Sequence, residues 1–280
     1  MNVQARSGLR PVTEPSRRQG ARVEIQGLYK AFDSRGGQFV ALDHVNLSIG
    51  AGEFLCIVGP SGCGKSTLIR ILAGLETPDA GTVAIDSNGW PVENAMVFQE
   101  AGLFPWMTVF DNVAFGLRNR GVSGRECEQR VDEALLLVGL RKFRKHYPHQ
   151  LSGGMKQRAA IARAFVTNPA LLLMDEPFAA LDAQNRAILQ DELVRLWETS
   201  RKTVVYVTHS LEEALMLGDR TIIMTAQPGR IKEEIQIPFA RPRDIMSISA
   251  TPEFASMKLR LWRTLEEEVN RARKEVEGHE

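Results

Sequence analysis

The stretch Gly59-Pro60-Ser61-Gly62-Cys63-Gly64-Lys65-Ser66-Thr67 constrains this chain more than any other. The apolar run Glu53-Phe54-Leu55-Cys56-Ile57-Val58 precedes it, and Leu68-Ile69-Arg70-Ile71-Leu72-Ala73, with helical character, follows. Strand, glycine-rich turn and helix in that order are the context that the phosphate-loop pattern G-x-x-x-x-G-K-[ST] requires. The glycines let successive backbone N–H groups turn toward one anion, and the helix N-terminus adds partial positive charge. In such a loop Lys65 reaches the β- and γ-phosphates and the Ser66 hydroxyl is a ligand for Mg²⁺. A nucleoside triphosphate is the ligand this implies; a tight glycine turn is the alternative.

Other function classes are narrowed by charge and cysteine usage. Thirty-five basic against thirty-four acidic side chains leave a formal charge of +1, so the basic field of a nucleic-acid binder is absent and no nucleic-acid partner is expected. With 44% hydrophobic residues the 280-residue chain can bury a sizeable core, and no apolar run approaches a membrane span. Cys56, Cys63 and Cys127 lack metal-ligand spacing and are odd in number, which fits a reducing cytoplasm. Cys63, among anion-binding amides, reads either as a redox-sensitive thiol or as a small filler.

Along the chain, residues 1–22 carry five arginines, two prolines and no apolar periodicity, and are expected to form a disordered arm. Short edge strands follow at Val23-Glu24-Ile25, Phe39-Val40-Ala41-Leu42 and Val45-Asn46-Leu47-Ser48-Ile49. Further strands are expected at 81–85, 94–99, 171–175, 203–207 and 221–224. Between 100 and 166 the apolar spacing is helical, as at Val131, Ala134, Leu135 and Val138. A helix over 183–198 has Ile188, Leu189, Leu193 and Leu196 on its apolar side. The expected fold is α/β: a core at 23–99 and 167–240, made of a mostly parallel sheet with an antiparallel edge sheet, and an inserted α-helical subdomain at 100–166. A tail, 241–280, carries the stripe Phe254, Met257, Leu261, Leu265, Val269, expected as an amphipathic helix that docks on its own domain or contacts a partner.

Leu171-Leu172-Leu173-Met174-Asp175 is an apolar strand ending in an acid, followed at once by Glu176. Beside a phosphate loop, Asp175 can hold Mg²⁺ through water and Glu176 can act as the base that polarises the attacking water. His209, after the strand ending in Val207, can hydrogen-bond the γ-phosphate and hold that water in line.

Leu151-Ser152-Gly153-Gly154-Met155-Lys156-Gln157-Arg158, placed just before the acidic strand, resembles the signature motif of ATP-binding cassette (ABC) ATPases. Gln99 after Met96-Val97-Phe98 is similar to the Q-loop, Ala180-Leu181-Asp182 to the D-loop, and His209 to the switch histidine. Phe32 sits where the family places an aromatic that stacks on adenine. Six motifs in order over about residues 23–235 carry the likeness; Met155, where many members have Gln, departs from it. The resemblance implies a RecA-like P-loop NTPase core that binds ATP with Mg²⁺, held by Ser66, Gln99 and Asp175. It also implies a head-to-tail homodimer in which Ser152, Gly153 and Gly154 of one subunit, with Asp182 nearby, cap ATP held by the other. Alone, Leu-Ser-Gly-Gly followed by a helix opening near Met155 could be a helix cap.

Phe104-Pro105-Trp106-Met107-Thr108-Val109, Asp111 to Leu117, Pro228-Gly229-Arg230-Ile231 and Arg241-Pro242-Arg243-Asp244 look like the nitrate/sulfonate/taurine group of importer ATPases. That likeness implies an ATP-hydrolysing subunit peripheral to the cytoplasmic face of the inner membrane. Its partners would be a transmembrane permease and, indirectly, an external solute-binding protein. Leu103, Phe104, Trp106 and Met107 read either as the groove for a permease helix or as local core. An importer ATPase for another solute, an exporter ATPase, and a repair- or translation-type ABC ATPase are the competing readings.

Overall fold

Why three short runs of the chain are continuously apolar is evident from the computed structural model, which describes residues 20–34, 37–87, 93–179 and 181–277. The elements run β1 (Arg22–Ser34), β2 (Gly37–Ile49), β3 (Phe54–Val58), α1 (Lys65–Leu72), β4 (Ala80–Asp86), β5 (Asn94–Val97), α2 (Val109–Asn119), α3 (Gly124–Leu137), two single 3-10 turns, and α4 (Gly153–Phe165). They continue as β6 (Leu171–Asp175), α5 (Ala183–Ser200), β7 (Thr203–Val207), α6 (Leu211–Leu217), β8 (Arg220–Met224), β9 (Ile231–Gln236), α7 (Ile245–Ser249) and α8 (Pro252–Glu277).

A six-stranded sheet has the order β5-β6-β7-β3-β8-β9, parallel except for β9. Every residue of β3, β6 and β7 is buried, because helices or a second sheet cover both faces. Side chains alternate between two cores: Leu55, Ile57, Leu171, Leu173 and Val205 pack with α1 and the small sheet, whereas Phe54, Cys56, Leu172, Met174 and Tyr206 pack with α4, α5, α6 and α8. Full burial of each such aliphatic side chain contributes roughly 1.5–3 kcal/mol before the entropy of ordering is set against it.

The second sheet, order β2-β1-β4, is antiparallel. Its strands β1 and β2 are each 13 residues long rather than the short pieces expected, because the residues that look like breaks absorb irregularities of register. Gly27 and His44 both have positive φ there, at 56° and 51°, and the chain bulges without leaving the sheet. β9 is a strand for which the sequence reading has no counterpart, since Ile231-Lys232-Glu233-Glu234 is charged on an edge.

The region 100–166 is helical among the described residues, built from α2, α3 and α4. Asn112 of α2 is fully buried and holds the segment before that helix: its Oδ1 accepts from the Phe104 N–H at 2.8 Å, and its Nδ2 lies 3.1, 3.1 and 3.0 Å from the carbonyls of Phe104, Met107 and Thr108. In α5 the buried face is Leu189, Leu193, Val194 and Trp197, and Ile188 is exposed, a rotation from the expected stripe. Trp197 causes it, filling the space beside Phe54 at 5.6 Å between ring centres.

At the N-terminus, residues 20–22 belong to the packed body and not to the arm: Ala21 is fully buried and donates to the Ala170 carbonyl at 3.1 Å. The rest of the expected arm, 1–19, lies outside the described residues. At the other end Arg243 is buried against the C-terminal carbonyls of α6, donating to Met216 and Gly218 at 3.1 and 2.7 Å. Burial lowers its pKa to about 10, yet as a cation it still complements the helix dipole. Arg241 lies 4.2 Å over Trp197 and pairs with Asp219 at 2.7 Å, so the tail is joined to the core at its first residue. Phe254, Leu261 and Leu265 of α8 are buried in the same core, with Met257 and Val269 partly so.

Candidate functional site

Three neighbouring strands, β6, β7 and β3, end at the same edge of the large sheet, and that edge collects the candidate residues. β3 runs into the phosphate loop. Gly64 caps α1 at φ 95°, and a Cβ there would lie 2.5 Å from the Ala41 carbonyl of β2, so only glycine fits. α1 begins at Lys65, placing Lys65, Ser66 and Thr67 in its first turn. The Lys65 side chain is buried, and its ammonium donates to the carbonyls of Gly59 and Pro60, each at 2.8 Å. It therefore lies within the loop itself.

Asp175 at the end of β6 is buried, and its Oδ1 accepts from the Ser66 hydroxyl at 3.1 Å. Burial pushes its carboxyl above the usual carboxylate range, against the pull of the Ser66 hydrogen bond. Two hard oxygens at this distance, one on a carboxylate destabilised by desolvation, fit a small divalent cation, whose charge would offset that cost.

Glu176 turns away from the strand with φ 45°, a left-handed conformation unusual for a side chain of this size. Its N–H donates to the Val207 carbonyl at 3.0 Å, which anchors the turn to β7. The carboxylate then meets His209 Nδ1 at 3.0 Å, although the two lie 33 residues apart. The register pairing of Asp175 with Val207 makes that meeting unavoidable, since each strand continues one or two residues beyond.

The Leu-Ser-Gly-Gly segment stands elsewhere. Ser152 is exposed and caps α4, its hydroxyl accepting from the Met155 N–H at 3.3 Å, so the helix opens at Gly153 and not near Met155. Gln99 is exposed beyond β5. Asp182 caps α5 by accepting from the Asn185 N–H at 3.0 Å, and its hydrogen bonds with Asn185 hold its carboxyl below the usual range. Ala180 lies outside the described residues. Phe32 pairs with Phe39 on the β1–β2 hairpin, and Lys30 Nζ stands 5.0 Å from its ring centre. Phe39 is two residues from Ala41, which touches the phosphate loop. The Cys63 thiol is buried, and burial pushes its pKa up against the pull of the Lys65 charge.

Comparison with known proteins decides the family. The ABC transporter family pattern matches residues 42–179. An uncharacterised ABC transporter ATP-binding protein of Methanocaldococcus jannaschii is 46% identical over 255 residues, covering 90% of this chain and 94% of that protein. This chain belongs to the ABC transporter ATP-binding proteins. It is an ATP hydrolase of that family, related to a taurine import ATP-binding protein of Pelagibacter ubique (43% identical, 87% of this chain, 96% of that one). A nitrate import ATP-binding protein of Synechocystis is 44% identical over 77% of this chain and 82% of that one. Among solved structures, the dimeric cassette bound to ADP and phosphate aligns with TM-score 0.71 and 35% identity, covering 78% of this chain and all of that one. The mixed sheet is thus the RecA-like core of an ABC ATPase, and the helices of 100–166 are inserted into it.

Several residues of this ABC subunit escape sequence reasoning. Glu213 of α6 is a buried carboxylate that accepts from Tyr206 OH at 2.9 Å, Thr208 Oγ1 at 2.5 Å and Gln190 Nε2 at 2.9 Å. It ties α5, α6 and the residue before His209 into one hub; burial, with the Glu213 charge added, pushes the Tyr206 hydroxyl's pKa up. Gln157 of α4, also buried, donates to the Phe98 carbonyl at 3.0 Å, so the helix that starts at the signature is bonded to the strand end preceding Gln99. For Gln157, a polar residue on an otherwise apolar helix face was the available signal; Glu213, next to Glu212, offered none.

Proposed function

We propose that this subunit energises an importer: two copies close head to tail on two ATP molecules, and hydrolysis reopens them to move a separate permease. The observation that carries this reading is the division of labour in the fold. Lys65, Ser66, Asp175, Glu176 and His209 lie at one sheet edge, while Ser152 is the exposed cap of a helix in the inserted subdomain. An exposed N-terminus with two glycines in its first turn is a second phosphate cradle awaiting a ligand carried by another copy. The dimeric cassette with the similar fold supports that arrangement.

In this reading the loop 59–67 and Lys65 hold the phosphates, and Phe32 stacks on adenine. Ser66, Gln99 and Asp175 would hold Mg²⁺, which would neutralise charge on the phosphates. Glu176 takes the proton of the attacking water; His209, held by Glu176, keeps the γ-phosphate end of the site in place; Asp182 acts across the dimer. Trp106 is 70% exposed, its ring tilted against Phe104 at 5.6 Å, and Phe104 also meets Phe115, so this patch is the seat proposed for the permease. The names of the taurine and nitrate import relatives support a small anion as solute, delivered by an external binding protein, with the subunit peripheral to the membrane. Among the described residues no helix is long and apolar enough to cross a membrane.

Glu176→Gln tests the assignment. It is expected to cut turnover about 10²–10⁴-fold while ATP still binds and drives dimerisation. Turnover at the normal rate would move the base elsewhere, and ATP that no longer dimerises this variant would overturn the sandwich.

A further inference from the structure

The C-terminal helix α8 reaches the phosphate loop through one short connection. Glu268, 2% exposed, accepts from the Ala226 N–H through Oε2 at 2.8 Å and from Lys232 Nζ through Oε1 at 2.8 Å. Ala226 lies in the β8–β9 connection, residues 225–230, which is closed on itself: Thr225 Oγ1 donates to the Pro228 carbonyl at 2.8 Å and accepts from the Arg230 N–H at 2.9 Å. At its tip Gly229 donates to the Ala41 carbonyl at 3.1 Å and accepts from the Asp43 N–H at 3.0 Å. Arg230 adds an ion pair to Asp43. The tip also touches the phosphate loop directly, since a Cβ on Gly229 would fall 2.1 Å from the Cys63 carbonyl oxygen.

The docking of α8 does not by itself require this carboxylate, because Phe254, Leu261 and Leu265 already bury the helix's apolar stripe. A charged group at 2% exposure is costly unless its partners are fixed, so Glu268, Ala226 and Lys232 constrain one another strongly. We infer that Glu268 is a positioning residue for ATP binding: by fixing Ala226 it keeps Gly229 against the Cys63 carbonyl and holds the loop 59–67 in the shape that receives phosphate. The end of the chain thus braces the nucleotide site from behind. The inference rests on the reading of 59–67 as the phosphate cradle.

The test is steady-state ATP hydrolysis by the full chain, with KM and kcat separated. Glu268→Gln is expected to raise KM for ATP about threefold to tenfold with kcat nearly unchanged. Gly229→Ala, acting at the other end of the brace, is expected to raise KM as well, and the two together to raise it less than the product of their separate effects. Lys258→Ala removes the exposed α8–α6 pair Lys258–Glu212 and serves as the control: KM is expected to stay unchanged. An unchanged KM in Glu268→Gln, or an equal rise in Lys258→Ala, overturns the inference and returns Glu268 to helix docking alone. Should Glu268→Gln not fold, Glu268→Asp, with the charge kept and the reach shortened, is judged by the same split. Lys65→Ala separates the two layers, because undiminished ATP binding in that variant would sink the cradle itself.

Discussion

Asp175 is placed at a cost to stability. Its carboxyl is held above the usual 3.8 by burial, so the native state takes up its proton more readily than the unfolded chain does. Between 3.8 and the raised native value, stability therefore falls as pH rises; above that value the whole cost is present, and below the unfolded value none of it is. Asp175→Asn is accordingly expected to raise the Tm of nucleotide-free protein at neutral pH by about 2 °C, with the gain shrinking as the solution is acidified, while ATP turnover is lost. Thermal melts across the acid range check it; a lower Tm at neutral pH would mean that the Ser66 hydrogen bond outweighs the burial. Lys65, Asp175 and Glu176 were legible as residues because each sits at a fixed offset from a local pattern: a glycine turn, or the end of an apolar strand. Glu213 was not. It follows an acid, Glu212, in a short helix, and only its donors, Gln190 of α5, Tyr206 of β7 and Thr208 just after that strand, distinguish the two.

At the scale of elements, α6 acts as the mount for His209. Ser210 caps it, Thr208 Oγ1 accepts from the Ser210 N–H at 3.0 Å, and Glu213 accepts from that same threonine hydroxyl, so the two residues flanking the histidine are both bonded to the helix start. Glu213→Gln keeps the volume but gives an amide that cannot accept at both ends, leaving a buried donor unmet at about 1–3 kcal/mol. The expected result is a lower Tm and a kcat reduced about tenfold at unchanged KM. An unaltered kcat in the folded variant would make the hub a matter of stability only. The strands were readable because burial on both faces writes a continuous apolar run. The long β1–β2 hairpin and β9 were not, since bulges resemble turns and an edge strand carries charge.

For the whole molecule, Gln157 and Arg158 join the inserted helices to the core: Gln157 bonds the Phe98 carbonyl and Arg158 bonds Asn185 beside Asp182, while Arg163 ties α4 to the subdomain's entry at the carbonyls of Ala101 and Gly102, 3.1 and 2.8 Å away. These are the joints through which a change at the nucleotide would move the subdomain bearing Trp106. Trp106→Glu places a charge on the exposed end of that aromatic cluster. It is expected to abolish co-purification with the permease while ATP-driven dimerisation persists, and retained permease binding would return the patch to local packing.

The sequence by itself set out the candidate groups and their order along the chain: phosphate loop, Gln99, signature, acidic strand, His209. Each is encoded by neighbours within a few residues, where periodicity and turn chemistry act. Only the tertiary structure decided which strands adjoin, and so that Glu176 meets His209 and Asp175 meets Ser66 across 109 residues. The same holds for Glu268, 42 residues from the Ala226 N–H it accepts from. Such pairs depend on the order of strands in a sheet and on which helix face the core leaves buried, and no local pattern contains either.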